Sequence, residues 1–135
     1  MAYLIVDVEG IGPTFEEKLK PVGIQTTADF LDKCCDKQGR KKIGEETGIS
    51  EKLLLTWANR ADLMRISGVG PQYSELLEAA GVDTVKELRH RNADNLAQSM
   101  AETNETKKLA RTSPAVSQVR DWIETAKTMD PRISH

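Results

Sequence analysis

Aromatic residues make up only 4% of the 135-residue chain. A core this short of rings has to be built from Leu, Ile, Val and Ala, which favours packed helices over a β-sandwich. Cysteine is scarcer still: Cys34 and Cys35 are the two present. Adjacent cysteines make no ordinary structural crosslink, and two are too few for a disulfide scaffold. Their spacing also fits neither a zinc site nor a redox C-x-x-C, so buried thiols in a reducing, cytoplasmic setting are expected. No apolar run approaches the ~18 residues of a membrane span, and no charged-then-apolar leader opens the chain, so no membrane association is expected. A basic excess is missing too, with a formal charge of −2. That weighs mildly against a dedicated nucleic-acid binder but leaves room for a local basic face.

Catalytic groups are equally thin. Of two histidines, His90 lies in a basic run and His135 is the last residue. No Walker loop, G-x-S-x-G or H-E-x-x-H occurs, and the acidic pairs Glu16-Glu17 and Glu45-Glu46 read as helix surface. A base-flipping glycosylase would need a larger body around its pocket. The expectation is a protein without catalytic activity or metal.

The composition is 39% hydrophobic and 30% charged, that of a soluble globular chain forming one domain or two small ones sharing a core. Its most informative feature is a repeat. "VEGIGPTFEEKLKPVGIQTTADFL" (residues 8–31) aligns without gaps on "ISGVGPQYSELLEAAGVDTVKELR" (residues 66–89). Gly10, Gly12 and Pro13 recur as Gly68, Gly70 and Pro71, and Gly23, Ile24 and Thr26 as Gly81, Val82 and Thr84. In each copy proline suits the first helical position, glycine stops the helix, and Thr26-x-x-Asp29 or Thr84-x-x-Glu87 spells a capping box.

Ser50 is expected to cap a helix in which Leu54, Trp57, Ala58 and Ala61 form a buried stripe. Ser113 and Pro114 are expected to start another, lined by Val116, Val119, Ile123 and Ala126, with Pro131 marking a loose end. Trp57 and Trp122 hold similar places in these closing helices. The reading is all-α: two related halves, residues 1–64 and 65–135, packed as one compact helical domain. Before the second turn Leu63, Ile66 and Val69 are spaced by three, as are Ile5, Val8 and Ile11 before the first, but there only a stub of helix is available. The second half of the chain or another subunit is therefore expected to cover the first turn, which allows a homodimer.

Two glycines ahead of a helix start let the backbone turn tightly and point N–H groups outward, a geometry that suits phosphate and reads no bases. "VEGIGPTFEEKL" and "ISGVGPQYSELL" resemble the helix-hairpin-helix motifs of DNA repair and replication proteins. The full arrangement, with "TGISEKLLLTWANRADLMRISGVG" between them, resembles a bacterial domain-of-unknown-function family built from tandem helix-hairpin-helix units. The resemblance implies hairpin contacts to duplex DNA at Gly10, Gly12, Thr14, Gly68, Gly70 and Gln72, and a monovalent cation held by hairpin carbonyls.

Such hairpins usually carry Lys or Arg after the second glycine. This chain has Pro13-Thr14 and Pro71-Gln72 instead, followed by glutamates. Positive charge sits elsewhere, in three stretches: Lys37, Arg40, Lys41 and Lys42 beside Lys33; Arg89 and Arg91 beside Lys86; Lys107 and Lys108 beside Arg111. If these share a face, DNA can lie there while the hairpins touch its backbone. "KKIGEETGISEKLLLTWANRA" also has a helix-turn-helix outline, but its second helix is too apolar to read a groove. Two functions stay open: weak, sequence-independent nucleic-acid binding, or a protein-interaction or assembly module that binds no nucleic acid.

Overall fold

The computed structural model describes residues 3–135. Among these residues, eight α-helices follow one another: α1 (Pro13–Leu19), α2 (Thr27–Cys34), α3 (Lys37–Thr47), α4 (Glu51–Leu63), α5 (Pro71–Ala79), α6 (Val85–Leu88), α7 (Ala93–Lys107) and α8 (Val116–Lys127). Short 3-10 turns occupy Ile5–Asp7 and Lys20–Val22. The one extended pairing among the described residues is an antiparallel bridge between Leu4 and Thr26. The fold is all-α, and no described helix is long and apolar enough to cross a membrane.

The two aligned segments adopt the same backbone course. Gly10 and Gly68 are left-handed at φ +95° and +94°. Gly12 and Gly70 then cap α1 and α5 in nearly identical extended conformations, φ −95° and −94°. α1, by way of the 3-10 turn at Lys20–Val22, and α5 are each followed by a left-handed glycine, Gly23 or Gly81, and the next N–H reaches back to Leu19 O (3.2 Å) or Leu77 O (2.9 Å). Thr26 and Asp29 form the full reciprocal capping box. In the second copy Thr84 Oγ1 accepts from Glu87 N, while the Glu87 carboxylate turns to Arg91, and α6 stops after four residues.

Buried side chains gather in two clusters that meet at the end of α4. One runs from Ile5 to Met64 and the other from Leu63 to Ala126. The Leu54, Trp57, Ala58 and Ala61 stripe is buried as its spacing predicts. Ile5, Val8 and Ile11 are also buried, at 0, 1 and 3% exposure, in the cluster that holds Phe30, Ile43 and Trp57. The apolar side of the first turn is therefore covered mainly by α2–α4 of its own half, with Ile133 of the second half packed against the same cluster.

Two further expectations change at the far end. Ser113 does not cap α8, because its hydroxyl lies 3.3 Å from Asn104 Nδ2 and helps close the α7–α8 link. The helix begins two residues later than the Pro114 start, after Ala115, and Val116 stays 37% exposed while Trp122 joins Val119, Ile123 and Ala126 inside. Nor is the end loose beyond Pro131: Ile133 packs against the first cluster, and Ser134 N donates to Cys35 O at 2.9 Å.

What ties turn to helix is the tryptophan in each half. A Cβ on Gly10 would lie 3.0 Å from Trp57 Nε1, and one on Gly68 would lie 3.1 Å from Trp122 Nε1. Phe15 and Tyr73 complete the pairing, with ring centroids 4.9 and 5.2 Å from their tryptophans. Gly12 has nothing within 4 Å of its Cβ position. Gly10→Ala and Gly68→Ala are thus expected to cost about 2 kcal/mol each from the left-handed backbone and the indole contact. Gly12→Ala should stay within ~0.5 kcal/mol. Urea denaturation of the three variants measures the contrast.

Candidate nucleic-acid interface

The second turn opens onto a groove of about 610 Å³. Gly68, Gly70 and Gln72 line its floor, flanked by Tyr3 and Tyr73, and Asp7 and Glu9 from the first copy line it as well. Next to Gln72 comes the α7–α8 link. Asn104 builds that link, its side chain accepting from Ala110 N (2.9 Å) and donating to Ala110 O (3.1 Å). Arg111 N then donates to Gln72 Oε1 at 3.4 Å. Lys107, Lys108 and Arg111, all exposed, are carried by this link. Lys108 holds the left-handed conformation that ends α7 (φ 53°). Of the three basic stretches, this is the one hydrogen-bonded at the start of α5.

The arginines of the other two stretches are largely spent inside the fold. Arg40 is 3% exposed, and its guanidinium donates to Cys34 O (3.0 Å) and Ser134 O (2.7 Å). It is a buried strut and leaves the set of surface contacts expected from the sequence. Arg89 is half-buried and donates to Met129 O. Arg91 folds over the end of α5, bonding Ala80 O and Glu87, where a cation suits the negative end of a helix. Lys37, Lys41 and Lys42 remain exposed, and Lys42 shares a small cavity with Lys33.

The first turn is placed differently. Gly12 and Thr14 are accessible, but the Glu9 carbonyl accepts from Arg60 Nη1. Arg60 also grips Glu78 of α5 through Nε and Nη2, at 3.2 and 3.1 Å, so this α4 side chain joins the first turn to the second copy. Periodicity gave no sign of this role, because the partners lie 51 and 18 residues away.

Among the described residues no group of three or more His, Cys, Asp or Glu side chains is arranged to hold a metal ion. Both thiols are free, and burial pushes the Cys34 thiol up to about 12, far from thiolate reactivity.

With that geometry in hand, comparison with known families is informative. A family described as a domain of unknown function (DUF4332) matches residues 9–129. The chain belongs to the DUF4332 family. The match takes in both turns, Arg60, the α7–α8 link and all eight helices. Comparison with curated proteins and with solved structures gave no match.

Around Arg60 the carboxylates crowd. Burial holds the Glu75 carboxyl above its ordinary value of 4.5; Arg60 opposes the rise, and Glu9 and Glu78 add to it. A carboxyl raised in the folded state favours folding when protonated and opposes it when ionised, so stability falls as pH climbs from 4.5 through the folded value. Glu75→Gln is expected to raise the thermal midpoint at pH 7. The gap from the parent chain should close as pH drops below 4.5.

Proposed function

We propose that this DUF4332 chain is a non-catalytic tandem helix-hairpin-helix module that binds nucleic-acid backbone weakly and without regard to sequence. The observation that carries the reading is the bond from Arg111 N to Gln72, which seats the Lys107–Arg111 link beside the N-terminus of α5. Backbone amides there suit a phosphate oxygen, and the link supplies the cations that the hairpin itself lacks. Lys37, Lys41 and Lys42 extend the basic surface, while Arg40, Arg89 and Arg91 take no part. A monovalent cation belongs to the reading at the second turn alone, since Arg60 already answers the Glu9 carbonyl in the first. The free cysteines fit a cytoplasmic setting.

A second reading, a protein-interaction module, draws on one specific observation: Asp7 and Glu9 line the same groove. A phosphate approaching the second turn would meet their repulsion, whereas a basic protein surface would not.

Fluorescence anisotropy with a mixed-sequence DNA duplex separates the two. Under the nucleic-acid reading, log K falls linearly with log salt, at about −0.9 per phosphate neutralised. The triple change Lys107→Glu, Lys108→Glu, Arg111→Glu should abolish binding, while Asp7→Asn with Glu9→Gln strengthens it. Absence of binding at low salt, or indifference to the triple change, rejects the reading.

A further inference from the structure

Three carboxylates share one guanidinium between the first turn and α5. Arg60 is committed on every nitrogen: Nε and Nη2 hold the Glu78 carboxylate at 3.2 and 3.1 Å, and Nη1 donates to the Glu9 carbonyl. Its charge is thereby matched to Glu78, and the side chains of Glu9 and Glu75 are left over. Glu75 lies one turn before Glu78 on α5, and among the described residues it has neither a hydrogen bond nor an ion pair. It is half-buried, so water makes up that lack only in part.

Position joins this carboxylate to the groove. Glu75 follows Pro71 by four residues and Gln72 by three, the spacing that puts side chains on one face of a helix. Both of those residues line the groove, and so does Glu9, which repels the Glu75 carboxylate. The charged groups that face Glu75 are thus Arg60 from α4, Glu9 from the first turn and Glu78 from α5 itself. One cation against three anions leaves negative charge in excess beside the groove. A half-buried carboxylate without a partner is where a proton relieves that excess most readily. Burial, with Glu9 and Glu78, already holds the Glu75 carboxyl above 4.5 against the pull of Arg60.

We propose that Glu75 takes up a proton when a polyanion enters the groove, which makes phosphate-backbone binding at the second turn tighten as pH falls. The inference rests on the nucleic-acid reading and adds the regulation of that site. Phosphate charge beside Glu75 disfavours its ionised form, so the complex holds a proton that the free protein gives up at the same pH. Affinity is therefore lowest while Glu75 is ionised in both states. It climbs as pH falls from the bound value to the free one, and levels off once Glu75 is protonated in both. One phosphate charge within a Debye length changes this equilibrium about twofold in a water-like medium, and a duplex presents several, so roughly threefold is expected.

Glu75→Gln compared with the parent isolates the effect, using anisotropy with the mixed-sequence duplex at fixed low salt. The variant should bind roughly threefold more tightly at pH 7, and its advantage should vanish as pH drops toward 4.5. Glu124→Gln removes the same charge beside a separate cavity on α8 and should bind like the parent throughout. Carbon-13 NMR of the glutamate carboxyls reads the proton directly: added duplex should move the Glu75 midpoint upward in pH. A variant-to-parent ratio that stays at one, or that holds constant across the range, overturns the proposal. So does an equal, pH-dependent gain in Glu124→Gln, or a Glu75 midpoint that added duplex leaves in place. Those results leave the nucleic-acid reading standing. No binding by any of the three proteins at any pH rejects that reading instead, and this inference with it.

Discussion

Each half of this fold depends on one contact, a tryptophan indole seated on a left-handed glycine. The glycine's missing Cβ lets Trp57 or Trp122 reach the backbone of the turn, and its positive φ redirects the chain into the following helix. The ring two residues beyond the helix start then closes on the same indole. Turn, first helix and closing helix are thereby fixed by side chains far apart in sequence. This explains how a chain with so few aromatics remains well packed: four of its rings are concentrated at two equivalent joints. It also assigns separate duties to the two glycines of each turn. Gly10 and Gly68 serve packing, whereas Gly12 leaves the helix start open.

Arginine and lysine play different parts. Arg40, Arg60, Arg65, Arg89 and Arg91 each donate to a backbone carbonyl distant in sequence or to a carboxylate, and three of them hold residues 129–134. A planar guanidinium with several fixed donors suits this bridging between segments, and a lysine ammonium does so less well. Lys37, Lys41, Lys42, Lys107 and Lys108 face solvent instead. Counting the two residue types together along the sequence therefore overstates the basic surface, and the error falls on the stretches around Arg40 and around Arg89.

Features set by local backbone chemistry were legible in the sequence. Proline at the helix start, glycine at the helix stop, the Thr26–Asp29 box and the α4 stripe all follow from interactions within a few residues, and the repeat doubled the proline and glycine signals. Features set by distant partners were hidden. Nothing near Ser113 reveals that Asn104 claims its hydroxyl, and nothing near Arg60 reveals Glu9 and Glu78. The missing leading helix before the first turn suggested an exposed apolar side. In fact three residues of 3-10 turn suffice there, because Ile5, Val8 and Ile11 keep the spacing that delivers them to α2–α4.

Although the two turns share a backbone, their surroundings differ. In the first, Arg60 draws the Glu9 carbonyl toward Glu78 and so commits the turn to joining the halves. Freed of that duty, the second turn borders an open groove with carboxylates on one side and a cationic link tied to Gln72. Duplication allows this division, since a fold that needs only one such joint between its halves can leave the other turn facing an open groove. A polyanion would lean toward the link and be repelled by Asp7 and Glu9, so its hold would be weak and strongly dependent on salt. Neutralising those two carboxylates would remove the repulsion without touching the turn. The two turns thus differ in the charge around them, not in the course of their backbone.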